Sequence, residues 1–201
     1  EPVAEKATGE FGGHDFLVEI AEAGIHDLAI SGAEYLLDDG EVRGIVVPGE
    51  RRTIASRRSG ILVQAGNPKG ITGFEDLTCP DLRIGISVID CLKGAWEDVS
   101  GRAGLIEDIR PNISFHANGC VAIVEAVAQG VVDVAIGWSG FDHLAEGRIE
   151  VVDIRDEWAI TRGTGVGLLS FAGNPDGGRE FMDFLVTPEA RACYEDWGWV
   201  L

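Results

Sequence analysis

Residues 113–138 read ISFHANGCVAIVEAVAQGVVDVAIGW, and they lay down a strand, a helix and a second strand in one pass. Ile113-Ser114-Phe115-His116 has strand character. Val121 to Ala128 is an apolar helical stretch that stops at Gly130, a residue suited to the left-handed turn closing a helix. Val131 to Trp138 is the most apolar run in the chain, long enough for a buried strand and too short for a membrane span. A strand that returns through a helix to another strand is the unit from which parallel sheets are made.

The alternation extends both ways. Upstream, Leu82 to Val88 reads as a strand followed by a loop and a helix through Ala95 to Val99. Before it lie a turn at Gly66-Asn67-Pro68 and a short helical stretch, Ile71 to Leu77. Thr72 is its expected cap, with Glu75 at capping-box spacing. Further back, a helix over Leu17 to Ala23 follows the Gly12-Gly13 turn, and Asp27-Leu28-Ala29-Ile30 forms a strand ending at Ser31-Gly32. Ile54 to Ala65 reads as a strand pair interrupted by Arg57-Arg58. Downstream come strands at Ile149 to Ile154 and Gly165 to Phe171, then amphipathic helical pieces at Arg179 to Leu185 and Pro188 to Tyr194. The pattern predicts an α/β protein with a largely parallel sheet.

Composition narrows the function. The chain has 201 residues, 45% of them hydrophobic, which is enough for a packed core. Against 34 acidic side chains stand 16 basic ones, a net charge of −18. Nucleic-acid binding needs clustered Lys and Arg to release phosphate counterions, so that class is excluded, as is docking on an anionic membrane surface. No apolar run of membrane-spanning length occurs, so direct membrane insertion is not expected. Glu1-Pro2-Val3-Ala4-Glu5 reads as a mature start from which an export signal has been removed.

Three loops precede helices: Gly12-Gly13-His14-Asp15, Asp90-Cys91-Leu92-Lys93-Gly94 and Asn118-Gly119-Cys120. In open α/β sheets ligands gather beyond the carboxyl ends of strands, where helix N-termini offer unpaired N–H donors to an anion. Ser31 and Trp138-Ser139-Gly140 end strands in the same manner. Asn118 and Gly119 suit an oxyanion through an amide and bare N–H groups, and Lys93 supplies a cation. Cys91 and Cys120 admit three readings: packed thiols, a disulfide, or a soft-metal site completed by His14. Cys79, Cys193 and His116 read as structural, Phe181, Phe184, Trp197 and Trp199 as core, and the pairs Arg51-Arg52 and Arg57-Arg58 as surface.

Catalytic signatures are missing. No GxSxG, HExxH or P-loop occurs, and Gly163-Thr164-Gly165-Val166-Gly167 leads into a strand rather than the helix of a dinucleotide loop. No cofactor is expected.

Several stretches resemble a known family. Gly66-Asn67-Pro68-Lys69-Gly70-Ile71 followed by Phe74-Glu75-Asp76-Leu77 resembles the hinge region of molybdate- and tungstate-type solute-binding proteins. Ser31 to Leu36, Gly94 to Asp98, Arg110 to Ile113, Phe181 to Leu185 and Trp197-Gly198-Trp199 are similar to the accessory colonisation factor C subgroup. The resemblance runs collinearly over residues 5 to 201. It implies a two-lobed type II periplasmic-binding-protein fold with a central cleft, lobe one being residues 1–65 plus 156–201 and lobe two 66–155. It also implies a periplasmic or extracellular protein that captures a small anionic solute for the membrane subunits of an ABC importer, and no enzyme. The ligand positions it implies are Gly13, His14, Ser31, Asp90, Cys91, Lys93, Asn118, Gly119, Cys120 and Trp138. Departures accompany it. Val3 to Gly9 looks like the tail of the family's first helix, so the opening strand and its loop are missing. Gly13-His14 stands where the molybdate branch has a serine, and Cys91 is foreign to the subgroup pattern. Two alternatives therefore stay open: a cofactor-biosynthetic enzyme on the same fold using Cys91 or His14, and a metal-binding sensor through His14, Cys91 and Cys120.

Overall fold

A computed structural model describes residues 13–201, with side chains from residue 17 onward. In chain order the elements are α1 (Gly13–Ala23), β1 (Leu28–Ser31), α2 (Glu34–Val42), β2 (Val46–Gln64), β3 (Ile84–Ser87), α3 (Ala95–Ala103) and α4 (Ile106–Ile109). Then follow β4 (Ile113–Ala117), α5 (Cys120–Ala128), β5 (Val134–Trp138), β6 (Ile149–Asp153), β7 (Thr161–Leu169), α6 (Pro175–Phe184) and α7 (Pro188–Asp196). No helix among the described residues is long and apolar enough to cross a membrane.

The chain divides into two units. The first takes the chain up to Ala55, Gly163–Cys193 and Leu201; the second takes Ser56–Arg162 and Tyr194–Val200. The chain passes from one to the other inside β2 and again inside β7. Positions 65/66 and 155/156, where the resemblance places the lobe boundaries, both lie within the second unit, in which Gln64 at the end of β2 is still paired with Ile149 of β6. The sequence shows strand character only from Ile54, whereas β2 runs unbroken from Val46 to Gln64.

In the first unit β1 pairs antiparallel with β7, Leu28 opposite Leu168 and Ser31 opposite Gly165. β7 lies next to β2 on its other side. Its glycines recur at every second position, so they share one face of the strand. A Cβ at Gly165 would come within 2.8 Å of Leu37, and one at Gly167 within 2.8 Å of Val46. The run that superficially suits a nucleotide is thus a strand whose bare face lets α2 lie close. Ile20, Ala29, Leu37, Val46 and Leu169 form the core there, with Ile45 and Phe171 packed against it.

In the second unit the sheet order is β6-β2-β5-β3-β4. Only β3 with β4 and β3 with β5 are parallel, while β2 runs antiparallel to both β5 and β6. The sheet is therefore mixed rather than largely parallel. β4, α5 and β5 make the expected crossover, and α5 lies over β3. Gly85 permits this, since a Cβ there would meet Ile123 of α5 at 2.6 Å. Gly130, at φ +69°, closes α5, and Val131 N–H donates to the Ala126 carbonyl.

Several local expectations are corrected. The stretch after Thr72 is a 3-10 turn, Phe74–Thr78, capped by Gly73. Asp76 rather than Glu75 is the acceptor, taking hydrogen bonds from Thr72 N, Thr72 Oγ1 and Gly73 N. Trp197 and Trp199 belong to the second unit, with Trp197 54% exposed, and Phe184 is 43% exposed. Cys79 and Cys193 are exposed rather than packed, and His116 is exposed on β4. Amphipathic spacing does not distinguish a core aromatic from one on a partly covered rim.

At the amino ends of β3 and β5, the Asp133 carboxylate is almost fully buried. It accepts from Arg83 N, Nε and Nη2, with Lys69 Nζ at 3.4 Å. The Arg83 hydrogen bonds, opposed by burial, hold its carboxyl below the usual range. A depressed folded pKa gives stability that is present above the unfolded pKa near 3.9 and is lost as pH falls through the folded one. Asp133→Asn should therefore cost about 1–3 kcal/mol at neutral pH. Acid unfolding followed by circular dichroism should show a shallower pH dependence below pH 4 in the variant.

Candidate functional site

Three parallel strands of the second unit end side by side, and the residues after them carry the chemistry. β3 leads through Ser87 to a 3-10 turn at Asp90–Leu92, β4 leads through Asn118-Gly119 into α5, and β5 ends at Trp138. Ligand sites of open α/β sheets lie at such carboxyl ends. Of the ten positions expected to contact ligand, seven (Asp90, Cys91, Lys93, Asn118, Gly119, Cys120 and Trp138) fall here.

The backbone is specialised on both loops. Asp90 sits at φ +55°, a conformation Asp tolerates better than most residues, and Gly94 at φ +71° caps α3. Gly119 caps α5 at φ +104°, and a Cβ there would stand 3.2 Å from Asp90 Oδ2. With glycine at the cap, no side chain covers the first N–H groups of α5, and its first turn carries no acidic residue. In α2, α3, α4, α6 and α7 the first turn does carry one. Of these six helices α5 is the one with no acid in its own first turn; the carboxylate beside its positive end is that of Asp90, on the neighbouring loop.

Under this face lies a buried polar cluster. Cys91 Sγ, 6% exposed, accepts from Trp138 Nε1 at 3.3 Å and lies 2.7 Å from Cys120 Sγ. Arg57 is equally buried, its guanidinium 5.4 Å from the Trp138 ring centre and 5.0 Å from that of Trp199. Arg162 brackets the loop, donating to the carbonyls of Cys91 and Lys93 and pairing with Asp98 at 2.6 Å. Hydrogen bonding from the Cys120 thiol brings the Cys91 thiol down to about 6; burial opposes it, and the Arg57 charge and the Trp138 N–H assist. The same contact and burial push Cys120 strongly up. The more acidic sulfur is thus the deeper one, held as a thiolate beside a buried cation.

Lys93 and Asn118 are exposed on the rim. Ser31 lies in the first unit at the end of β1, where its hydroxyl donates to the Ala33 carbonyl and accepts from Ala33 N, fixing the turn into α2. Gly13 and His14 open α1, and the His14 side chain lies outside the described residues. Among the described residues no group of three or more His, Cys, Asp or Glu is placed to hold a metal. Sequence reading missed Arg57 and Arg162, having put Arg57 on the surface. Arg57 alternates in phase with Ala55, Ser59, Ile61 and Val63, all buried, but Gly60 and Leu62 of the opposite phase are buried too, so alternation in the sequence does not separate Arg57 from Arg58.

In reduced protein carrying Cys79→Ser and Cys193→Ser, thiolate absorbance should titrate with a midpoint near 6 for Cys91. Arg57→Gln should move it upward, and Cys120→Ala should move it further, toward the ordinary value of about 8.5.

Comparison with known proteins agrees with this architecture. The chain is 27% identical over 177 residues to a sulfate-binding protein of Synechococcus elongatus, covering 76% of this chain and 51% of that one. The chain thus spans about half the length of this curated relative. Among solved structures, PEB3 of Campylobacter jejuni in its L-phospholactate-bound form superposes with a TM-score of 0.79 at 22% identity, over 92% of this chain and 84% of that one. The periplasmic molybdate-binding protein of Azotobacter vinelandii gives a TM-score of 0.76 at 19% identity, over 94% and 84%. At such identities the two structures establish the periplasmic-binding-protein fold. The model of one family matches residues 5–200, and the chain belongs to that family, the bacterial extracellular solute-binding proteins.

Proposed function

We propose that the chain captures a small solute bearing a tetrahedral oxyanion and hands it to the membrane subunits of an ABC importer outside the cytoplasm. The observation that carries this reading is the glycine-capped N-terminus of α5, with no acid in its own first turn, at the carboxyl ends of three parallel strands. Such an end binds anions through N–H donors and its dipole, without a salt bridge. Sulfate, molybdate and the phosphoryl group of L-phospholactate, named for the three relatives, share one geometry: a central atom surrounded tetrahedrally, with at least three terminal oxygens. Asn118 and Lys93 on the rim are proposed to add an amide and a cation, while Asp90, Cys91, Cys120 and Trp138 shape the floor. Gly13, His14 and Ser31 are proposed as ligand-contacting positions of the first unit. The two units are read as the two lobes of the family, and the motifs at Ser31 to Leu36 and Gly94 to Asp98 favour the accessory colonisation factor C subgroup.

A second reading has one observation behind it. The lowered pKa of Cys91 suits a nucleophile, and hence an enzyme on this fold. Its burial and its contact with Cys120 count against that use, and the Arg57 charge beside both sulfurs counts against a cation-binding sensor.

The test is a thermal-unfolding scan with sulfate, molybdate, phosphate and L-phospholactate. A ligand at a hundred times its Kd adds about 2.7 kcal/mol, a rise in Tm of several degrees. A rise with one of these supports the reading, and no rise with any overturns it. Asp90→Asn keeps the left-handed tolerance and removes a negative charge beside Gly119, so it should tighten binding about two- to fivefold by isothermal titration. Gly119→Ala forces a side chain into a strained conformation and should weaken both binding and fold, the latter by about 1–3 kcal/mol.

A further inference from the structure

The two sulfurs beneath the α5 terminus are closer than two non-bonded sulfur atoms ordinarily approach. Cys91 Sγ and Cys120 Sγ are 2.7 Å apart, on loops that follow neighbouring strands and 29 residues apart in sequence. Closing from there to a covalent bond of about 2.0 Å takes a sulfur displacement of about 0.7 Å. The other two cysteines, Cys79 and Cys193, are exposed. Cys79 follows the 3-10 turn before β3, and Cys193 lies on α7 in the other unit, its Sγ donating to the Glu189 carbonyl.

We propose that Cys91 and Cys120 are a redox pair that closes to a disulfide, tying the Asp90–Gly94 loop to the first turn of α5. The reaction needs an oxidant of the disulfide class, RS–SR, supplied by a small-molecule or protein disulfide. Cys120, the more accessible sulfur, loses its proton and attacks one sulfur of RS–SR, forming the mixed Cys120–S–SR bond and releasing RS⁻, which takes up that proton. The Cys91 thiolate then attacks Cys120 Sγ, forming the internal bond and releasing the second RS⁻, which takes up a proton from solvent. In sum RS–SR is reduced to two RSH, and two protein thiols are oxidised to one disulfide. The order follows from the site: Cys120 is the less buried of the two and meets the oxidant first, and Cys91, held as a thiolate beside Arg57 and Trp138, is the resolving sulfur.

This goes beyond solute capture and rests on the second unit alone. It gives the anion-facing N–H groups two tethering states, one held by a thiol–thiolate contact and one held covalently. Closing a loop of this length also restricts the unfolded chain, so the oxidised form should unfold at a higher temperature than the reduced one.

The test is a redox titration of the folded chain. Reduced wild-type protein is equilibrated against glutathione–glutathione disulfide mixtures, denatured in acid, alkylated and read by intact mass and peptide mapping. The expected result at the oxidising end is two alkylated cysteines, Cys79 and Cys193, with the peptides holding Cys91 and Cys120 joined. Cys79→Ser/Cys193→Ser must still form the link, and Cys91→Ser and Cys120→Ser must each lose it. Four alkylated cysteines in wild type at the oxidising end, or a link that involves Cys79 or Cys193, would overturn the proposal. Because the wild-type map stands without the single variants, a variant that fails to fold does not decide the outcome. A sulfate titration of both redox forms keeps the two readings apart, since the link forms or fails whether or not sulfate binds.

Discussion

A guanidinium buried as deeply as Arg57 is costly unless its charge is answered nearby, and the second unit is organised around answering it. Two indole faces stand at cation–π distance, from the end of β5 and from the C-terminal segment. The third answer is the Cys91 thiolate, stabilised in turn by the Trp138 N–H and the Cys120 thiol. Trp199 is one of these partners, and Tyr194–Val200 belong to this unit: Val200 bridges to Ser56 one residue before Arg57, and the Gly198 carbonyl accepts from Ser139 Oγ. One buried charge thus links β2, β5, the loop after β3 and the terminus. It holds the strand ends in register, so that the α5 N-terminus is presented from a firm base.

The legible and illegible parts of the sequence divide along physical lines. The β4–α5–β5 crossover was readable because each element carries its own period and its own stop at Gly130. The ligand-end loops were readable because strand–loop–helix order fixes where they must fall. Strand direction was not readable: β2 looks like any apolar run, and nothing local says that it pairs antiparallel on both sides. Nor was its full length, since Val46 to Thr53 includes Pro48, Gly49 and a charged stretch that shows no alternation. Arg57 was misjudged for a related reason. A charged residue is placed outside by default, and because both faces of β2 are buried around Ile61 and Leu62, the sequence does not tell Arg57 from Arg58. The contact between Cys91 and Cys120 had no signature in their spacing; it arises because β3 and β4 are neighbours.

The family gives this arrangement its sense. Solute-binding proteins need a rigid donor set that is dry enough to strengthen each N–H contact and open enough to release the ligand. Here rigidity comes from contacts around and beneath the proposed site: Arg162 on the loop carbonyls, Trp138 under Cys91, Gly85 letting α5 rest on β3. The first unit reaches a similar end by subtraction. Its β7 strips one face to glycine so that α2, and with it the Ser31–Ala33 turn, is drawn in close.

The arginines of this chain are largely committed to carboxylates, as in Arg51 with Asp38 and Glu41, Arg148 with Glu125, Arg155 with Glu75 and Arg179 with Glu50 and Asp176. Each such exposed pair adds little stability, but together they use up the positive side chains locally and leave the acidic excess as a net outward field. An approaching anion therefore climbs a repulsive potential before it meets the favourable dipole of α5. Dissolved salt flattens that hill over about 10 Å at 0.1 M and reaches the shielded N–H groups far less. For the proposed anionic solute, association then quickens as the medium becomes saltier, the reverse of the familiar behaviour of a cationic receptor and an anionic ligand.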